Sequence, residues 1–152
     1  MKNMDELDKK ILKMLQKDAR LSYTKIAKQV GTSTATVSER VRRLEESGII
    51  EGYSVILNSS KLGITSVIAL IYVKPSFSAT DVGKKISEMK ETCCVYNVAG
   101  DTDLIVRFKC LSSFQREECA MLINTVKKIE GIEKITSYLV LNTIKEESQI
   151  EL

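Results

Sequence analysis

The side chains with the most chemistry in this chain are a run of hydroxyls followed by cations. Ser33, Thr34, Thr36 and Ser38 precede Arg42 and Arg43. Val37, Val41 and Leu44 recur at i, i+4 and i+7, so they share one face of a helix and leave the hydroxyls and arginines on the other. Short polar groups in a helix's first turn can approach base edges in a major groove, and arginines further along can reach phosphates or guanine. Ser33 stands where an N-cap is needed, and the same helix end can meet a phosphate. Gly31, after apolar Val30, suits the left-handed position that closes a preceding helix. An ordinary capped amphipathic helix shows the same cap and stripe. Arg40 lies at the edge of the buried face, which suits an internal salt bridge better than a base contact.

Other chemistries are poorly supplied. There is no histidine, so the commonest general base is missing, and no nucleophile–base pair or glycine-rich phosphate loop is visible. An enzyme is therefore not expected. Cys93, Cys94, Cys110 and Cys119 lack zinc-type spacing, and in a cytosolic chain they read as reduced, buried small hydrophobes. The adjacent Cys93-Cys94 pair also suits redox sensing or an intersubunit bridge. No metal site is expected.

The elements that must position these groups follow from patterning. The chain has 152 residues, 43% of them hydrophobic and 28% charged, as in soluble globular proteins. No apolar run approaches the ~20 residues of a membrane span and no signal-peptide pattern opens the chain, so a cytoplasmic protein is expected. The net charge is +3. Residues 1–50 hold 11 Lys/Arg against 7 Asp/Glu, and the remainder 12 against 13, so the basic surplus lies with the hydroxyl–arginine helix. That surplus is modest, so useful DNA affinity needs two or more copies.

Asp5, with Asp8 in the capping-box position, opens a first helix whose stripe is Leu7, Ile11, Leu12 and Leu15. Ser22 caps a second, with Ile26, Ala27 and Val30 inward. Gly48 ends the third. Ile49–Leu57 is rich in β-branched residues and reads as a strand, either a wing or a strand that pairs outside the domain. The polar turn at 58–63 marks the boundary, giving domains 1–60 and 61–152.

The second half reads as β-α-β-β-α-β. Its strands are 66–73, 93–99, 104–110 and 132–141. Ser78 caps one helix over Val82, Ile86 and Met89. Ser112 or Ser113 caps the other, over Phe114, Leu122, Val126 and Ile129. This order predicts an α+β chain: a winged helix-turn-helix followed by a ferredoxin-like βαββαβ domain. Val67, Ala69, Ile71 and Val73 point one way, Val95 and Leu104 to Phe108 offer more, and both faces of the first strand look apolar, which predicts sheet-to-sheet dimerisation.

These features together resemble the Lrp/AsnC family of transcriptional regulators. The resemblance rests on residues 7–12, Asp18-Ala19-Arg20, Ile26-Ala27, Ser33, residues 39–45, Gly48-Ile49-Ile50, Leu62-Gly63 and Gly100-Asp101-Thr102-Asp103-Leu104. It implies a sequence-specific regulator that binds double-stranded DNA, senses a small amino acid and assembles as dimers that build octamers. It implies DNA contacts by Ser33, Thr34, Thr36, Ser38 and Arg42, with Arg43 on phosphate. It also places an effector near Gly100, Asp101, Thr102 and Asp103 and the last-strand residues Thr136, Ser137 and Tyr138, with the Asp carboxylates facing its ammonium. The family often has an aromatic where Thr102 stands. No cofactor beyond that effector is expected. An effector-independent architectural DNA-binding protein is the alternative.

Overall fold

The computed structural model describes residues 4–111, 115–147 and 150–151. The chain divides into two compact units, residues 1–56 with 145–152, and residues 57–144. The boundary expected after residue 60 lies within four residues of the division between these units at 56–57.

In the first unit α1 (Glu6–Lys17), α2 (Tyr23–Val30) and α3 (Thr34–Glu46) each begin at a side-chain cap. Asp5 accepts from the Asp8 amide at 2.9 Å while the Asp8 carboxylate accepts from the Asp5 amide at 3.2 Å, which satisfies two otherwise unpaired donors. Ser22 and Ser33 accept from Lys25 and Thr36 amides. Gly31 has φ +75°, a conformation that costs glycine little, and the Thr32 amide beyond it closes onto the Ala27 carbonyl at 3.0 Å. That closure sets the turn between α2 and α3. The core is Ile11, Leu15, Ile26, Ala27, Val37 and Val41, all buried. Each of the larger aliphatics gains about 1.5–3 kcal/mol from leaving water.

Among the described residues the expected strand over Ile49–Leu57 forms no ladder. Residues 51–58 run exposed, with Val55 79% and Ile56 89% accessible. A strand needs a neighbouring edge for its amides and carbonyls, and three short helices supply none.

The second unit contains β1 (Ile64–Val73), α4 (Ala79–Ser87), β2 (Thr92–Asn97), β3 (Leu104–Leu111), α5 (Gln115–Val126) and β4 (Ile132–Leu139). The four strands form one antiparallel sheet in the order β2-β3-β1-β4. Ser78 caps α4 by accepting from the Asp81 amide. The expected caps Ser112 and Ser113 and the inward Phe114 lie outside the described residues.

Strand alternation sorts the sheet into two faces. Val67, Ala69, Ile71, Leu104, Val106 and Phe108 are buried with Val82, Ile86, Leu122 and Val126 of the helices. The other face carries Ile68 and Leu70 opposite Arg107 and Ile105 on one side, and opposite Tyr138 and Thr136 on the other. Leu104, Val106, Phe108 and Val95 therefore belong to the helix-covered core and not to the open face. β1 does carry apolar residues on both faces. Gly131 has φ +97°, and a Cβ there would meet Phe77 and Val82 at 2.9 Å, so both conformation and space require glycine.

Candidate functional site

The exposed face of α3 gathers the six residues expected to meet DNA. Ser33, Thr34, Ser38, Arg42 and Arg43 are exposed and Thr36 is half-buried. Two of the four hydroxyls are tied to the helix start: Ser33 Oγ accepts from the Thr36 amide at 3.0 Å and lies 2.8 Å from Thr36 Oγ1.

The arginines are held by carboxylates. Arg42 Nη2 and Nε donate to the two Glu39 carboxylate oxygens at 2.6 and 3.1 Å, and Nη1 donates to Glu46 Oε1 at 2.6 Å. Glu39 and then Glu46 push the guanidinium pKa up, and Arg42 in turn draws the Glu39 carboxyl down. Exposed pairs at these spacings are weak and screened by solvent, so a phosphate can displace them. Arg43 Nη2 donates to Asp8 Oδ2 at 2.8 Å, with its side chain half exposed. Arg40 Nη1 donates to Asp8 Oδ1 at 3.2 Å and also bonds Asp5. The internal ion pair expected of Arg40 is thus present. Arg43, expected to serve phosphate, also anchors α3 to α1.

Asp8 was legible only as a capping residue. It is 1% exposed and takes both Arg40 and Arg43, so it ties the start of α1 to the recognition helix. The signal that finds it is its place on the apolar stripe, at i−3 and i−4 to Ile11 and Leu12. A carboxylate there must find cations, because desolvating it alone is costly.

The second candidate site is the turn at residues 100–103, between β2 and β3. Thr102 Oγ1 donates to the Ile71 carbonyl at 2.8 Å. Asp103 Oδ2 accepts from the Val73 amide at 2.7 Å, and the Asp103 amide donates to the Ile71 carbonyl at 3.1 Å. These bonds pin the turn to the end of β1. One Asp103 oxygen is therefore committed to the backbone, whereas Asp101 is exposed. Thr136 and Tyr138 project from the open face of β4, opposite Leu70 and Ile68. Ser137 pairs with Ala69 and projects the other way, so the three expected effector residues do not share a face: consecutive strand side chains alternate.

Cys110 and Cys119 are buried small hydrophobes as expected, but Cys93 is exposed and Cys94 half-buried; all four are free thiols. The Tyr96 hydroxyl, in contact with the Cys94 thiol, is pushed above its usual pKa by that bond. Among the described residues no group of three or more His, Cys, Asp or Glu is placed to hold a metal ion, and no helix is long and apolar enough to cross a membrane.

Residues 4–51 match the family described as winged helix-turn-helix DNA-binding, and residues 66–150 match the Lrp/AsnC ligand binding domain. The transcriptional regulator LrpA of Pyrococcus horikoshii is 36% identical over 144 residues, spanning 93% of this chain and 99% of that protein. The structure of AsnC from E. coli superposes with a TM-score of 0.84 at 26% identity, over 97% of this chain and 98% of that one. A transcriptional regulator from Neisseria meningitidis, solved as an L-Met complex, shares the fold with a TM-score of 0.85 at 21% identity, over 98% and 97% of the two chains. With a helix-turn-helix in one unit and the ligand-binding fold in the other, this chain belongs to the Lrp/AsnC family of transcriptional regulators and is not an enzyme.

Proposed function

We propose that this chain is a sequence-specific regulator that reads double-stranded DNA with α3 and is modulated by a small amino acid. The observation that carries the DNA reading is the exposed face of α3, hydroxylic in its first turn and cationic two turns later. Ser33, Thr34, Thr36 and Ser38 lie against the groove. Arg42 exchanges Glu39 and Glu46 for phosphate, and Arg43 meets phosphate with the donors that Asp8 leaves over.

The effector reading is supported by the turn at 100–103, pinned to the end of β1, and by the open-face residues Thr136 and Tyr138 of β4. The backbone groups of Gly100 and the exposed carboxylate of Asp101 take the ammonium end, while Thr102 and Asp103 hold the turn in shape. Ser137 stands at the site's edge. The ligand of the Neisseria regulator supports an amino acid as the effector class. The protein works in the cytoplasm as a dimer, built on the open sheet face and the unpaired segment 51–57, and dimers assemble into octamers.

Footprinting on DNA upstream of the chain's own gene, with and without each amino acid, tests both parts. A bounded footprint that shifts with one amino acid is expected. Uniform coating of unrelated DNA would instead favour the architectural alternative. Arg42→Ala is expected to weaken operator binding and to flatten the salt slope by about one unit. An unchanged affinity across a salt series would remove Arg42 from the interface.

A further inference from the structure

Residues 145–151 group with the helix-turn-helix unit, although they follow the ligand-binding unit in the chain. The contact is specific. Gln16 Nε2 donates to the Ile150 carbonyl at 3.2 Å, and the Ile150 amide donates to Gln16 Oε1 at 2.6 Å. One side-chain amide thereby satisfies both main-chain groups of a residue 134 positions away, as the edge of a neighbouring strand would. Gln16 lies outside the buried stripe of α1 that holds Ile11, Leu12 and Leu15. Lys13 and Lys17, on the same outer side, line one cleft with Glu147 and Glu151.

Charge gives the contact a consequence. Residues 1–56 carry a balance of +3 and residues 145–151 a balance of −2. Within the tail, Lys145 Nζ is paired with Glu147 Oε2 at 2.7 Å. Glu147 and Glu151 thus share a cleft with the outer lysines, together with Lys145, on a unit whose partner is a polyanion. Fixed negative charge within a Debye length weakens the attraction of phosphate, and more so at low salt.

We propose that residues 145–147 and 150–151 form an acidic strap, docked on α1 by Gln16, that restrains DNA binding by lying beside Lys13 and Lys17 and reducing the positive field of the helix-turn-helix unit. The strap is also the second covalent link between the two units, after the one at residues 56–57. Residues 140–144 separate it from the strand that bears Thr136 and Tyr138.

The test compares four full-length-derived proteins on one duplex of unrelated sequence: the intact chain, a chain ending at Ile144, Gln16→Ala, and Glu147→Gln with Glu151→Gln. Removing the strap is expected to raise affinity about three- to tenfold near 50 mM salt, with the gap closing near 200 mM. Gln16→Ala keeps a good helix former in α1, so its fold is retained. It should raise affinity by a smaller factor, speed hydrogen exchange at the Ile150 amide and add nothing in the shortened chain. The double glutamine variant should raise affinity while leaving the Ile150 amide protected. Unchanged or weaker binding in the shortened chain overturns the proposal. So does a Gln16→Ala effect that persists without the strap, or one with no change in Ile150 exchange.

Discussion

The two units solve the same packing problem with different materials. Among the described residues the sheet unit buries fourteen in one core, all apolar or cysteine, with Phe108 at 0% exposure. The helical unit centres on a smaller cluster, Ile11, Leu15, Ile26, Ala27, Val37 and Val41, and supplements it with polar fastenings. Three side-chain caps hold its helix starts, and a buried carboxylate, Asp8, holds two arginines of α3. The lesson is one of scale. Short helices bury little area each, so charge-assisted bonds set their geometry, whereas a sheet roofed by two helices can rely on area.

The sharpest way to break this comparison is to damage each unit at its own kind of anchor. Phe108→Ala should cost the sheet unit about 3–5 kcal/mol, read by thermal or denaturant unfolding, with the helical unit's chemical shifts unchanged. A loss below about 1 kcal/mol would show that the core is loose enough to collapse around the gap. Asp8→Asn should cost the helical unit about 2–3 kcal/mol, because two charged partners lose their acceptor. It should also release Arg43, so binding to unrelated DNA becomes stronger and its salt slope steeper by about one unit. A stability loss with no change in that slope would reduce Asp8 to a purely structural role. Ser33→Ala removes the cap of α3 and should cost about 1 kcal/mol, with operator affinity falling more than affinity for unrelated DNA.

The smallest effect is acid sensitivity at Asp5. The Asp8 amide and then the Arg40 guanidinium hold this carboxyl below the usual range. A depressed carboxyl contributes stability above its unfolded pKa of about 3.9 and loses it as pH falls through the folded value. The helical unit should therefore weaken below about pH 4, and Asp5→Asn should flatten that response. A pH profile identical in the variant would place the acid response elsewhere.

Much of this was legible in local spacing. Asp5, Ser22, Ser33 and Ser78 announce helix starts because a cap is a contact across three residues, and the Gly31 closure needs only its own turn. The inward sets of α1 to α4 follow from helical period. What local spacing did not carry was whatever depends on a distant partner. The run at 49–57 has strand composition, and among the described residues it joins no edge, which leaves the pairing outside the domain that the sequence allows. Ser137 stands with Thr136 and Tyr138 because the family resemblance implies it, and strand alternation turns its side chain to the opposite face. Arg42 and Arg43 were read as waiting for phosphate, although carboxylates already hold them: Glu39 and Glu46 on the same helix, and Asp8 from another.

The sequence by itself determined the order of elements, their caps, their buried stripes and the family to which they add up, because each is written in residues a few positions apart. Only the tertiary structure decided which charges are spent. It set Asp8 beneath Arg40 and Arg43, committed Asp103 to the Val73 amide and laid Ile150 along Gln16. The physical reason is that a hydrogen bond or ion pair forms between groups that the fold brings within about 3 Å, and separation along the chain carries no record of that distance.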